Sequence, residues 1–315
     1  MIEMSGAAAP GAWRRLGQLE LDTTAAASWA RTHAALPIAV PRGDRTWDVY
    51  LSLRDDQGRS RIGRTILRLD PRPALAPLDP SPVVDLGPLG AFDDSGVTSS
   101  CLVRQQGRTY LFYTGWSLGV TVPFYLAAGV AVSEHGRPFE RPSPAPLLDR
   151  AAVDPFLSAS PYVFVDEGRW RMWYISGTSW ERGPDGPRHR YHVKYAESND
   201  GLQWDRSGIV CVDYADEGEH AFGRPCVVRD ADVYRMWYAS RGDRYVIGYA
   251  ESHDGVLWQR LDAKRGLMPA TTGWDSEMVE YPFVFDADGR RYMLYNGNGY
   301  GRTGVGLAAW ETASK

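Results

Sequence analysis

A short aromatic strand signal returns five times along this sequence, about every 60 residues: Trp47-Asp48-Val49-Tyr50, Tyr110-Leu111-Phe112-Tyr113, Arg171-Met172-Trp173-Tyr174, Arg235-Met236-Trp237-Tyr238 and Tyr292-Met293-Leu294-Tyr295. Self-similarity at a fixed period constrains the fold more than any composition does. This period is that of one blade of a β-propeller. The protein is therefore expected to be all-β, a five-bladed β-propeller with four-stranded antiparallel blades around a central funnel.

The repeat has internal detail. Tyr195-Ala196-Glu197-Ser198-Asn199-Asp200-Gly201-Leu202-Gln203-Trp204 is nearly copied as Tyr249-Ala250-Glu251-Ser252-His253-Asp254-Gly255-Val256-Leu257-Trp258. Weaker copies are Val130-Ala131-Val132-Ser133-Glu134-His135-Gly136 and Val305-Gly306-Leu307-Ala308-Ala309-Trp310. Asn-Asp-Gly and His-Asp-Gly tolerate positive φ, so these segments are expected to turn the backbone around between the middle strands of a blade. The Trp after each turn is expected to pack between neighbouring blades.

A length of 315 residues with 43% hydrophobic content would ordinarily suggest two domains, but propellers grow by adding blades around one axis. Residues 34–315 are therefore read as one domain and 1–33 as a leader. Within the leader a strand from Arg14 to Asp22 could pair with the last blade and close the ring. The one helical candidate ahead of the first core is Thr23 to His33. The blades are placed at 34–70, 91–148, 153–212, 216–268 and 274–312.

A net charge of −4 and no polybasic run give no field for nucleic acid. No apolar run approaches the roughly 20 residues of a membrane helix. No basic start followed by an apolar block opens the sequence, so a cytoplasmic location is expected. Cys101, Cys211 and Cys226 lie in or beside apolar strands and are read as buried free thiols. Oligomeric state is not legible.

Each innermost strand opens on a short polar phrase: Leu36-Pro37-Ile38, Asp93-Asp94-Ser95-Gly96-Val97, Ser160-Pro161-Tyr162, Arg224-Pro225-Cys226 and Glu280-Tyr281-Pro282. In a propeller such positions line one funnel, so residues distant in sequence converge.

The five cores, the Ser-x-Asp-Gly-x-x-Trp turns and the acidic opening of an early inner strand together resemble the five-bladed propeller glycosidases, which include glycoside hydrolase families 32, 43, 62, 68 and 130. The resemblance covers roughly 280 residues at the level of the blade repeat. It implies an early Asp acting as base or nucleophile, a later Glu acting as acid, and a further Asp that tunes them. Carried over, the early Asp matches Asp94 or Asp93, with Asp94 favoured; a turn-capping role is the competing reading. The tuning Asp has no direct match, because Ala159-Ser160-Pro161 stands where the sucrose-cleaving members have Arg-Asp-Pro. Asp154 lies a few residues upstream and is either its substitute or a turn residue. For the acid, Glu280 competes with Glu219, and burial beside Tyr281 would raise the Glu280 carboxyl toward a proton donor's range.

Sugar contacts are expected from Trp116 and Trp180, which follow the second and third cores at matching positions and either stack on a pyranose or pack between blades. Asn296 and Asn298 sit at the corresponding place in the last repeat, ahead of Tyr300. Asp275, Glu277, Tyr281, Ser160, His192 and Arg224 complete the candidates for substrate contact. The basic residues, Arg224, His189, Arg190, His192, Lys194, Arg241 and Arg244, are read first as ion-pair partners and second as a binding set for a phosphate or carboxylate. No His or Cys spacing reads as zinc and no glycine-rich loop cradles phosphate, so no cofactor is expected. The resemblance leaves a Ca²⁺ or Na⁺ in the channel open, with His192 nearest. The expected partner is a small saccharide or glycoside.

Two carboxylates are what glycosidic cleavage requires. The sequence thus supports an enzyme acting at a glycosidic bond, by hydrolysis or transfer. A phosphorylase or an enzyme of phosphorylated or activated sugars is one alternative, and a non-catalytic carbohydrate-binding propeller is the other. Geometry discriminates among them: without two funnel carboxylates in reach of one sugar, binding is the better account.

Overall fold

The computed structural model describes residues 11–184 and 186–312. Nearly all of the regular secondary structure among the described residues is strand. A first strand, β1 (Gly11–Leu19), stands apart in sequence from the group β2 (Thr32–Gly43), β3 (Thr46–Arg54), β4 (Ser60–Arg68) and β5 (Ala74–Leu75). Next come β6 (Gly96–Gln105), β7 (Arg108–Leu118) and β8 (Phe124–Glu134), followed by β9 (Ser158–Asp166), β10 (Arg169–Gly183), β11 (Gly186–Ser198) and β12 (Val210–Val212). The last groups are β13 (Ala221–Asp230), β14 (Val233–Arg241), β15 (Tyr245–Ser252) and β16 (Gln259–Arg260), then β17 (Glu280–Ala287), β18 (Arg290–Asn296) and β19 (Val305–Thr312).

Three of the sheets are four-stranded and antiparallel, in the orders β9-β10-β11-β12, β13-β14-β15-β16 and β17-β18-β19-β1. The groups β2–β5 and β6–β8 share a longer sheet, joined through the parallel bridge between Ser60 and Gly96. The first strands touch in a closed circuit, β2 on β6, β6 on β9, β9 on β13, β13 on β17 and β17 on β2.

The aromatic cores form the second strands. In β3 every residue from Trp47 to Leu53 is buried, and Met172–Gly177 and Met236–Ser240 are likewise buried throughout. A strand covered on both faces reads as a continuous apolar run instead of an alternating one, which is why these cores stand out in the sequence. The Asp-Gly turns behave identically in the two copies. Asp200 Oδ1 accepts the backbone N–H of Leu202 and Gln203, both at 2.8 Å, and Asp254 Oδ1 does the same for Val256 and Leu257. These turns follow β11 and β15, so they lead from the third strand to the fourth and not between the middle strands. Their tryptophans do pack on the preceding sheet, Trp204 against Phe112 and Trp258 against Trp173, with ring centroids 6.3 and 6.0 Å apart.

Ahead of the first core, Thr23 to His33 holds one 3₁₀ turn at Thr24–Ala26 and β2 already begins at Thr32, so the expected helix is not formed. Its small residues carry little helix-specific packing, and β2 gains a full ladder on β3 instead. The N-terminal strand runs antiparallel to β19, from Gly11 opposite Thr312 to Leu19 opposite Val305. Residues 1–10 of the leader lie outside the described residues. All three cysteines are free and buried. No helix among the described residues is long and apolar enough to cross a membrane.

The first strands are kinked at one common level. Leu36, Ser160, Arg224 and Tyr281 each precede a proline and have φ of 50°, 47°, 42° and 55°. The pairing register slips across each of these sites, and also between Ser99 and Cys101 in β6. Such bulges re-aim side chains that a regular strand would bury in its own sheet.

Candidate functional site

The bulged level forms the floor of a cavity of about 510 Å³. The first strands contribute Leu36, Thr98, Ala159, Ser160, Phe222 and Tyr281 to its wall. From the second strands come Ser52, Arg54, Thr114, Trp116, Ile175 and Arg241, and from the third Phe124, Leu126, His189, Tyr191 and Tyr245. His33 and Tyr300 close the rim. The floor is fixed by bonds between groups: Ser160 N–H donates to Thr114 Oγ1 at 2.7 Å, Ser99 Oγ to the Leu36 carbonyl at 2.7 Å, and Leu36 N–H to Asn296 Oδ1 at 2.8 Å. Cys101 and Cys226 take part as acceptors, their sulfurs 3.1 and 3.2 Å from the N–H of Val163 and Val284.

Among the described residues no Asp or Glu lines the cavity. Most of the acids singled out in the sequence stand in another arrangement, which ties the segment before a first strand to the tyrosine that ends a second-strand core. The Tyr113 hydroxyl donates to Asp93 at 2.9 Å and Arg141 Nε to the same oxygen at 2.7 Å. Asp154 accepts Tyr174 at 3.0 Å, Ser176 at 2.6 Å and Arg206 at 3.0 Å, with Lys194 3.3 Å away. Asp275 accepts Tyr295 at 3.0 Å and Arg15 at 2.7 Å. In each case the acid stands 20 residues before its tyrosine. The fourth group varies the theme: Arg260 binds both oxygens of Glu219, at 2.6 and 2.9 Å, and Tyr238 donates to Asp262 at 2.6 Å. These carboxylates are consumed by structure, as acceptors of hydrogen bonds from tyrosines and from basic side chains.

Asp94, the favoured early acid, accepts Ser95 Oγ at 2.9 Å and the Gly90 N–H at 3.0 Å, and is not in the cavity wall. That is the turn-capping geometry. Glu277 is exposed, and its N–H donates to Asn298 Oδ1 at 2.8 Å. Asn296 spends its amide on the carbonyls of Ala34 and Gly304. His192 faces Asp213 at 3.3 Å and stacks on Tyr214, away from the cavity wall. Trp180 packs against Phe124 and His189 behind the wall, with centroids 5.4 and 5.5 Å apart. Trp116, Ser160 and Tyr281 do line the cavity, Trp116 with its indole N–H on Ser60 Oγ at 2.9 Å. Among the described residues no three acids, histidines or cysteines are grouped as a metal would need.

Glu280 lies directly behind Tyr281. Its side chain has no solvent exposure, and neither carboxyl oxygen has a hydrogen-bond partner among the described residues. Burial pushes this carboxyl well above its ordinary value, against the opposing pull of Arg241, Tyr281 and Arg54. Arg224 is as deeply buried. It donates from Nη2 to the Pro37 carbonyl at 2.7 Å and lies 5.5 Å over the Phe283 ring, while Nε and Nη1 are unpaired. Burial lowers it to about 10, which leaves it charged at neutral pH. His33 and His189 are both held down to about 4, first by burial and then by Arg54 and Arg241 respectively. Both are neutral at pH 7.

Arg54, His33, Tyr191 and Tyr245 were not among the residues the sequence pointed to. The available signal was positional: Arg54 and Arg241 end the second strands of their groups, just beyond the Tyr50 and Tyr238 that close their cores.

No family model matches this sequence. Among curated proteins, uncharacterized protein MT1551 of Mycobacterium tuberculosis strain CDC 1551 / Oshkosh is 44% identical over 305 residues, 95% of this protein and 99% of the relative. Uncharacterized protein Rv1502 of strain ATCC 25618 / H37Rv is 43% identical over the same span. Among solved structures, a BT0996 complex with RGII in its description superposes with a TM-score of 0.70 at 19% identity, covering 98% of this protein and 94% of that one. A thermostable family-43 glycoside hydrolase gives 0.65 at 15% identity, covering 92% and 91%. An exo-1,5-alpha-L-arabinanase from a bovine ruminal metagenomic library gives 0.60 at 12% identity, covering 88% and 92%. The fold is therefore that of the propeller glycoside hydrolases.

Proposed function

This protein belongs to the same family as its two mycobacterial relatives, and from that premise we propose that it recognises a saccharide or glycoside in the central cavity. We read the five antiparallel groups as five blades of one propeller. The observation that carries the proposal is the wall itself, where aromatic rings (Trp116, Tyr191, Tyr245, Tyr281) and hydroxyls (Ser52, Thr98, Thr114, Ser160) from different groups converge on one space. Rings offer flat apolar faces to a pyranose and hydroxyls offer two-way hydrogen bonds. Fold neighbours that include an RGII complex and an arabinanase support a carbohydrate as the ligand class.

Recognition is favoured over hydrolysis because hydrolysis requires an acid and an opposed second carboxylate, about 5–9.5 Å apart. Here Asp93, Asp154, Glu219 and Asp275 are bound elsewhere, and among the described residues Glu280 is the candidate acid that remains beside the wall. Glu280 also motivates a second reading, transfer or cleavage with this carboxyl as proton donor, since its burial beside a cavity shifts it in the direction such a role requires.

The test is to screen nitrophenyl glycosides and free sugars, with and without inorganic phosphate, for both binding and turnover. Binding without turnover, weakened roughly tenfold by Trp116→Ala, equivalent to about 1.4 kcal/mol, is the expected result. Turnover abolished by Glu280→Gln with binding retained would establish the catalytic reading in its place. Failure of every saccharide to bind would remove both.

A further inference from the structure

Resting on the saccharide reading and narrowing its ligand class, we propose that the cavity takes a saccharide bearing an oxyanion, held between Arg54 and Arg241. The arginines of this fold are otherwise heavily committed: Arg15, Arg61, Arg141, Arg206, Arg235, Arg260 and Arg291 each pair with at least one carboxylate. Arg54 and Arg241 have no carboxylate within ion-pair distance among the described residues, although both line the cavity. Arg54 makes no side-chain hydrogen bond there. Arg241 donates to the Tyr300 hydroxyl at 3.0 Å and lies 5.3 Å over the Tyr245 ring. Both of these contacts are to tyrosines and not to carboxylates, so no ion pair among the described residues holds either guanidinium.

Other charges around the cavity do not cancel them. Arg224 adds a third guanidinium in the buried centre, with two nitrogens unpaired. Glu280 senses both Arg54 and Arg241, yet forms no hydrogen bond or ion pair with either, and its burial favours the neutral carboxylic acid. His33 and His189 contribute no charge at pH 7. A cavity lined by guanidinium groups and, among the described residues, by no Asp or Glu attracts an anion, and a guanidinium fork matches the two oxygens of a carboxylate or phosphate. The hydroxyls and rings of the same wall then serve the sugar. A neutral oligosaccharide would leave both arginines desolvated and unpaired, at a cost.

The proposal is tested by calorimetric titration of the full-length protein with a hexose 6-phosphate, a hexuronate, the neutral hexose and inorganic phosphate, at low salt and at high salt. At least one charged sugar should bind tenfold or more tightly than the neutral hexose. Which of the two wins identifies phosphate or carboxylate as the group. Arg54→Gln and Arg241→Gln should each weaken that sugar at least tenfold, and Arg54→Lys and Arg241→Lys should recover part of the loss. Melting curves for all four variants separate this effect from misfolding. Equal affinity for neutral and charged sugars would overturn the anion inference and leave the saccharide reading standing. Inorganic phosphate bound through the two arginines with no sugar bound would overturn the proposal by removing its saccharide, and no binding at all would overturn both readings.

Discussion

Glu280 shows how a residue's setting outweighs its type. A carboxyl in a strand beside aromatic residues ordinarily finds a donor at hydrogen-bond geometry, and this one has none among the described residues. Its folded-state value is raised, so the sign of its effect on stability is fixed. Below the ordinary carboxylate value of 4.5 the group is protonated in folded and unfolded states alike. Above it the unfolded state releases the proton while the folded state keeps it, and stability falls as pH rises until the folded carboxyl ionises. His33 and His189 act in the opposite direction, adding stability between about 4 and 6.5 as the unfolded imidazoles lose their protons. Both histidines are present in wild type and variant, so their contribution cancels in a comparison of the two. Thermal melts taken upward from pH 4.5 should therefore show Glu280→Gln gaining stability relative to the wild type as pH rises. A pH-independent difference would mean that the carboxyl is already ionised in the folded protein.

At the scale of the element, the repeated unit is a strand group fastened by an acid, a tyrosine and a basic residue. The tyrosines were legible because they end the aromatic cores. The 20-residue interval from Asp93, Asp154 and Asp275 to Tyr113, Tyr174 and Tyr295 is also written in the sequence, and it is a better guide to those acids than their closeness to a first strand. Placement near a funnel is common to catalytic and fastening acids, whereas a fixed interval to a tyrosine belongs to the fastening role. Asp154→Ala should cost about 3 kcal/mol in chemical denaturation, because it leaves Lys194 and Arg206 beside a buried void. Asp94→Asn should stay within about 0.5 kcal/mol and leave ligand binding unchanged, as expected of a half-buried turn residue outside the cavity wall. Loss of binding or turnover in Asp94→Asn would return that residue to the site.

Across the whole molecule, the first strands close a circuit and the N-terminal strand completes the last sheet. Trp13 sits in that seam against Trp310 and Trp237, with centroids 5.2 and 5.9 Å apart. A ring distributes its stability among neighbouring sheets, so a weakened seam is felt by the groups on both sides of it. Trp13→Ala should cost about 3 kcal/mol and lower the melting temperature of the molecule as one transition. A separate early transition confined to the last sheet would show that β1 docks independently of the ring.

The aromatic cores, the Asp-Gly turns and the five-fold repeat were set by the order of residues, since strand periodicity and turn chemistry are local properties. The same local reasoning placed Leu36, Ser160, Arg224 and Tyr281 at the start of first strands. It could not assign the acids, because whether a carboxylate meets a tyrosine, an arginine or empty space depends on partners from other strands. Nor could it single out Arg54, which stands out because it lines the same cavity as Arg241 and meets no carboxylate among the described residues. Those outcomes belong to the closing of the ring, which brings side chains from distant segments into one enclosed volume and determines which charges find a partner there.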